Sequence, residues 1–181
     1  MIPYRMIRSA RKTLSIQITP SGEVIVRCPS RMAKREAEAF LESKRPWIEG
    51  HLEKVAARAK EAKLSAQELQ DLSRQAAEDI PKRVARLAPI VGVSYGRITI
   101  RSQRTRWGSC SAKGNLNFNC LLMLCPEEVR DYVVVHELCH RKELNHSPRF
   151  WAEVAGVMPT YAQHRKWLKE NGGALIARLP E

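Results

Sequence analysis

A chain of 181 residues with 44% hydrophobic and 28% charged residues has room for one well-buried core, or one domain with a small appendage, and its composition excludes disorder as the default. No apolar run is long enough to span a bilayer, and Met1 to Gln17 is basic without the apolar stretch of a signal peptide, so a cytoplasmic location is expected. The net charge of +12 permits an anionic partner.

Residues 4 to 28 alternate as strands do. Leu14, Ile16 and Ile18 share a face, Thr19-Pro20-Ser21-Gly22 turns the chain, and Val24 and Val26 return it, so a β-hairpin is expected after a short strand near Tyr4 to Arg8. Ser30 is placed to cap a helix carrying Met32, Glu36, Ala39, Phe40 and Ser43. Pro46 breaks it before a second helical run through Trp47, Ile48, Leu52 and Val55. Trp47 and Phe40 are read as core and His51 as surface. Glu53 to Lys63 has little apolar face and reads as a solvated helix or connector, with the softest boundary between Ala56 and Ser65. Two parts follow, residues 1–60 and residues 61–181, or else one continuous domain.

Ser65 with Glu68 makes a capping-box signal for a helix carrying Leu69, Leu72, Ala76 and Ala77. Pro81 is expected to interrupt it before it resumes through Val84, Leu87 and Ala88 and ends at Pro89 and Gly92. From Ile80 to Pro126 there is no Asp or Glu, while Lys82, Arg83, Arg86, Arg97, Arg101, Arg104, Arg106 and Lys113 all fall there. This basic segment, residues 80–126, reads either as a solvated surface or as a phosphate-binding rim. Ile98 and Ile100 alternate with Arg97, Thr99 and Arg101 in a strand. A second hairpin runs from about Thr105 to Cys110, turns at Ser111-Ala112-Lys113-Gly114 and returns to Cys120. Leu116, Phe118 and Cys120 share one face of the returning strand, and Asn115, Asn117 and Asn119 the other. Trp107 is read as a packing anchor.

The next stretch is Val133-Val134-Val135-His136-Glu137-Leu138-Cys139-His140, with His146 six residues on. Pro126, Glu127 and Glu128 suit a helix start, and Arg141 and Lys142 suit its end, so a helix is expected from about Pro126 to Lys142. On it His136 and His140 lie one turn apart on the stripe of Val129 and Val133, so their imidazoles can converge on one ion with Glu137 beside it. Leu144-Asn145 can turn the chain through a left-handed residue, and Ser147-Pro148 reads as N-cap and first residue of the next helix. That puts His146 at a helix start facing the ion. The residues alone favour His146 as third ligand and leave Glu153, Glu143 and His164 open. Phe150, Trp151, Val154 and Ala155 form the core face of that helix. Thr160 with Gln163 then opens a helix with Tyr161, His164, Trp167 and Leu168 that stops at Asn171-Gly172-Gly173, leaving Ala174 to Glu181 a loose tail. Cys28, Cys110, Cys120, Cys125 and Cys139 are odd in number and lack a C-x-x-C pair, so they read as reduced packing thiols.

The ordered strings Arg106-Trp107-Gly108-Ser109-Cys110-Ser111, Gly114-x-Leu116-x-x-Asn119, Tyr132 to His140 and Asn145-His146-Ser147-x-x-Phe150-Trp151 resemble the YgjP-like metallopeptidase family, relatives of the SprT-like and WLM zincins. The resemblance implies an α+β fold with a zincin-like metal-helix core and a small antiparallel sheet, beside the N-terminal β-hairpin and helices. It also implies a zinc-dependent hydrolase holding Zn²⁺ on His136, His140 and His146, with Glu137 as the catalytic carboxylate. In zincins generally the strand nearest the metal helix offers its edge to an extended peptide, and Leu116 to Cys120 is expected there, or else is an edge strand kept polar against aggregation. One departure stands out. The long zinc-protease signature has Gly three residues after its second His, where this chain has Glu143, so the turn before His146 must be made differently.

Three neutral imidazoles leave zinc an open position for water, whose pKa falls to about 7 there, and Glu137 can accept its proton. A metallopeptidase is the leading reading, with Tyr161, Asn119 and Arg149 as candidate donors to the oxyanion and Asn117 as a further substrate contact. A metal-dependent nucleoside triphosphate hydrolase of the pyrophosphatase type is second, with Arg101, Arg104 and Arg106 as its phosphate cations. A nucleic-acid-binding module with a structural metal, using the basic segment, is third.

Overall fold

The computed structural model describes residues 2–19, 21–59 and 62–180, and among them no helix is long and apolar enough to cross a membrane. Pro20 of the expected turn, Lys60 and Glu61 of the expected connector, and Glu181 of the expected tail lie outside the described residues. Two units divide the chain, Met1–Glu61 and Ala62–Glu181, each with its own buried cluster. The class is α+β. Each unit has a three-stranded sheet with one parallel and one antiparallel pairing, where the sequence reading expects a small antiparallel sheet.

In the first unit, strands β1 (Arg5–Ser9), β2 (Ser15–Ile18) and β3 (Val24–Pro29) lie in the order β1-β3-β2, with β1 parallel to β3 and β2 antiparallel to it. Met6, Val26 and Ile16 stand abreast, and the period-two alternation of strands sends all three to one face. Helices α1 (Lys34–Ser43) and α2 (Arg45–Ala59) bring Ala37, Leu41 and Ile48 to the same cluster. Ser30 does not cap α1. Its N–H donates to the Ser9 carbonyl at 3.0 Å, so it extends the sheet, and the helix starts after Ala33 without a side-chain cap. Trp47 is 45% exposed rather than core, because Ile48 takes the inward position and one residue turns a helix by about 100°. The Trp47 ring rests instead on His51, centroids 4.2 Å apart.

The second unit opens with α3 (Ala66–Val91), started by the Ser65–Glu68 capping box. Pro81 does not interrupt it. Leu72, Ala76, Ile80, Val84, Leu87 and Val91 form one buried stripe, and that burial outweighs the roughly 3 kcal/mol an interior proline removes. The helix also runs through Pro89 and ends at Gly92, whose φ of 76° is left-handed. Strands β4 (Ile98–Arg101), β5 (Gly108–Cys110) and β6 (Leu116–Asn119) follow, in the order β4-β6-β5. The expected edge position of Leu116 to Cys120 is therefore wrong: β6 is central, and β5 is the edge strand that packs on the next helix, α4 (Glu127–Cys139). A 3-10 turn, Cys120–Leu124, joins β6 to α4.

Helices α5 (Pro148–Val157) and α6 (Tyr161–Ala177) complete the unit. Thr160 precedes α6 without a side-chain cap, its hydroxyl lying 3.1 Å from His164 Nε2. Helix α6 does not stop at Asn171-Gly172-Gly173. A Cβ on Gly172 would lie 3.0 Å from the Trp107 ring, so this glycine admits an indole against the helix rather than ending it. The tail is held as well, because Leu179 is 3% exposed and the Leu64 N–H donates to the Arg178 carbonyl at 2.7 Å.

The acid-free segment does not form a single anion-binding rim. Arg83, 9% exposed, donates to Asp79 at 2.6 Å and to Asp131 of α4 at 2.8 Å, and Arg86 takes the other Asp131 oxygen at 2.6 Å. Its missing carboxylates come from the neighbouring turn of α3 and from α4.

Candidate metal centre

Helix α4 buries Val129, Tyr132 to Val135, Leu138 and Cys139, which fixes its rotation. His136 and His140 then leave the same face one turn apart, with ring centroids at 4.9 Å. The turn beyond is made without glycine. Lys142 N–H and Glu143 N–H both donate to the Cys139 carbonyl at 3.0 Å, and the Glu143 carbonyl swings back to accept from His140 Nδ1 at 3.0 Å. That bond assigns the proton to Nδ1 and leaves a lone pair on Nε2. No residue other than glycine has positive φ among the described residues, so Asn145 makes its turn without a left-handed backbone. Ser147 accepts from the Phe150 N–H at 3.3 Å and starts α5, as the sequence reading expects, and this brings His146 back over the cluster.

His146 Nε2 lies 3.0 Å from His136 Nε2, and one ligand atom from each of the three histidines lies within 4.8 Å of the others. Three imidazole nitrogens about a zinc ion are expected about 3.3 Å apart, so this donor set fits such an ion by spacing and by chemistry. Burial pushes the His136 pKa down to about 3, with His140 and His146 adding to the shift. Burial lowers His140 as well, so both rings are neutral and ready to donate electrons near pH 7.

Aromatic rings position the histidines. His140 stacks on Phe150 at 4.5 Å, and Tyr132 meets His136 edge-on at 5.9 Å. His146 is exposed, and Trp151 stacks on it at 5.7 Å and 26°. The indole is in turn stacked by Tyr161 at 5.4 Å, with the Arg165 guanidinium 4.5 Å from its ring centre.

Glu137, one residue round the helix, is 5% exposed, and its Oε2 is buried with no hydrogen-bond partner. Burial raises its pKa to about 8, against the opposing pull of the Arg106 guanidinium. The room for this carboxyl is made by Gly108 of β5: a Cβ there would lie 2.6 Å from Oε1 and 2.9 Å from Cδ. Its place in the Trp107-Gly108-Ser109 string was the available signal, but nothing local says which side chain the glycine must clear.

The other candidates separate. Glu153 pairs with Lys142 at 2.7 Å, His164 faces Thr160, and Glu143 contributes its carbonyl, so none of these joins the cluster. Asn119 is 2% exposed and fully engaged: its Nδ2 donates to the Gln103 and Arg106 carbonyls at 2.7 and 3.1 Å, and its Oδ1 accepts from Leu121 N–H at 3.1 Å. It pins the loop before β5 and has no donor left for a substrate, which corrects its reading as a substrate contact. Asn117 donates to Ser109 Oγ at 3.2 Å. Arg104 donates to the Pro180 carbonyl, while Arg101 and Arg149 are exposed. Arg106 is exposed beside Glu137, and Tyr161 is half-buried and stacked on Trp151. The three arginines expected to cradle a triphosphate are thus not equivalent.

The family model for YgjP-like, described as a metallopeptidase domain, matches residues 12–72 and 58–171. No curated protein matches the chain. Among solved structures, the metallopeptidase zymogen abylysin of Pyrococcus abyssi is 24% identical over 50% of this chain and 93% of its own, with a TM-score of 0.45. The zymogen jannalysin of Methanocaldococcus jannaschii is 21% identical over 51% of this chain and 96% of its own, with a TM-score of 0.46. Since the matched span takes in the motif strings, the histidine cluster and nearly all of both units, the chain belongs to the YgjP-like metallopeptidase family.

Proposed function

We propose that the protein is a zinc-dependent metallopeptidase in which His136, His140 and His146 hold the ion and Glu137 is the general base. What carries this reading is the meeting of three imidazole nitrogens within 4.8 Å beside a buried carboxyl with an unpartnered oxygen. When bound, zinc supplies a positive centre that lowers the pKa of a neighbouring water to about 7 and polarises a carbonyl. Glu137 takes the proton of the attacking water on Oε2 and passes it to the leaving amine. Burial raises its pKa in the metal-free site, and a zinc ion beside it would draw that value back down and favour the ionised carboxylate that accepts the proton. Gly108 keeps the space in which it turns. Tyr161, standing against Trp151, is the donor assigned to the developing oxyanion.

The test is metal analysis of the wild type and His146→Ala, followed by incubation of zinc-loaded wild type and Glu137→Gln with a casein-like unstructured polypeptide. The wild type should bind zinc and cleave, and His146→Ala should lose most of its metal. Glu137→Gln should keep the metal and lose turnover by about 10²-fold or more. Undiminished cleavage by Glu137→Gln overturns the mechanism.

A further inference from the structure

We infer that the histidine site selects polypeptides with acidic side chains beside the bond to be cut, through Arg106 and Arg165. This inference deepens the peptidase reading and rests on it. The two guanidiniums come from different elements. Arg106 sits two residues before Gly108, the residue packed on Glu137, and its backbone is pinned by the Asn119 amide at 3.1 Å. Arg165 projects from α6 and lies 4.5 Å over Trp151, whose other contacts include the His146 ring.

Most neighbouring cations are already engaged. Lys142 pairs with Glu153, Arg141 donates to the Ser94 and Ala112 carbonyls, and Arg83 and Arg86 share Asp131. Arg106 and Arg165 are exposed and make no ion pair among the described residues. Arg149 on α5 is in the same condition. Near the cluster, Glu137 is buried and Glu153 is paired with Lys142, while Glu143 makes no ion pair among the described residues.

Stacking on Trp151 limits the rotamers of Arg165 while its N–H edge stays open, so less freedom is lost when it binds a carboxylate. A planar guanidinium meets a carboxylate with two parallel hydrogen bonds, which neither an amide nor a lysine side chain can offer. A polypeptide carrying Asp or Glu on either side of the scissile bond therefore complements the two guanidiniums, and one carrying Lys there is repelled.

The experiment uses the zinc-loaded Glu137→Gln protein, so that binding is read without turnover. Fluorescence anisotropy compares two short unstructured peptides, identical except that Glu and Asp flank the central bond in one and Gln and Asn in the other. The acidic peptide should bind about fivefold more tightly, with a preference that shrinks as salt rises. Arg106→Gln with Arg165→Gln should equalise the two peptides, and Arg106→Glu with Arg165→Glu should favour a peptide with Lys at those positions. Equal binding by the unreplaced arginines, no binding of either peptide, or a preference that survives the double replacement overturns the inference. Failure of the zinc-loaded wild type to cleave any polypeptide would instead sink the peptidase reading, and the binding comparison would still decide this one.

Discussion

The two sheets of this protein have the same topology and different duties. In both, the first and third strands run parallel, the second and third form a hairpin, and the third lies in the centre. The central strand of the first unit, β3, is apolar at Val24, Ile25 and Val26, all 4% exposed or less, and its helices simply cover it. The central strand of the second, β6, alternates buried Leu116 and Phe118 with Asn117 and Asn119, whose amides hold Ser109 of β5 and the loop before it. Its partner β5 begins, at Gly108, against a carboxyl rather than an apolar side chain. One arrangement therefore serves as packing in one place and as a frame for chemistry in the other, and side chains on the polar face make the difference.

The largest expected effect comes from breaking the frame where it meets Glu137. Gly108→Ala should lower turnover by about 10²-fold with metal content unchanged, since a misplacement of about 1 Å at a reacting group has that consequence. Peptidase assays beside zinc analysis check it, and a variant with full activity would mean that the carboxyl moves aside freely.

Matched changes in the central strands come next. Asn119→Leu orphans the Leu121 N–H and two carbonyls and should destabilise the second unit by about 3 kcal/mol, with activity falling at temperatures where the fold persists. Val26→Ala should cost about 2 kcal/mol in denaturant unfolding and leave kcat/KM unchanged. Equal effects on activity would erase the contrast between the sheets.

A smaller change is expected at Trp151. Its replacement by Ala removes the ring stacked on exposed His146 and should weaken zinc binding by about tenfold in chelator competition, whereas Phe should restore most of the loss.

A last effect, read as a change with pH rather than as a loss of function, concerns the metal-free protein. The Glu137 pKa is raised from 4.5 to about 8 by burial, so the unfolded chain loses this proton first as pH rises. The group's contribution to stability is complete below pH 4.5 and is lost as pH climbs through about 8. Glu137→Gln should therefore raise the metal-free melting temperature relative to wild type at pH 8 and do so less at pH 5. A larger gain at the lower pH would contradict burial as the cause.

What sequence alone could reveal follows from the range of the interactions. The meeting of His136 with His140 depends on one helical turn, and the start of α5 on one serine, so both were legible from local spacing. The parallel pairing of β4 with β6 joins segments separated by a whole hairpin, and no periodicity within either strand encodes it. The same is true of Asn119, whose partners lie 13 and 16 residues upstream, and of Gly172, which answers to Trp107 across the unit. Pro81 misled because helix propensity is local and weak, while the buried stripe of α3 is neither. The exposed Trp47 shows the reverse error: a large apolar side chain suggests burial only until the helix phase is known.

The closure of the second unit also bears on how it could be handled. Leu64 and Arg178 are joined by a backbone hydrogen bond, and Lys63 Nζ reaches the Ala177 carbonyl at 2.6 Å, so the path into this unit and the path out of it adjoin. Such a body has the layout of a cassette, suited to circular permutation or to grafting into a surface loop of a host protein through two short linkers.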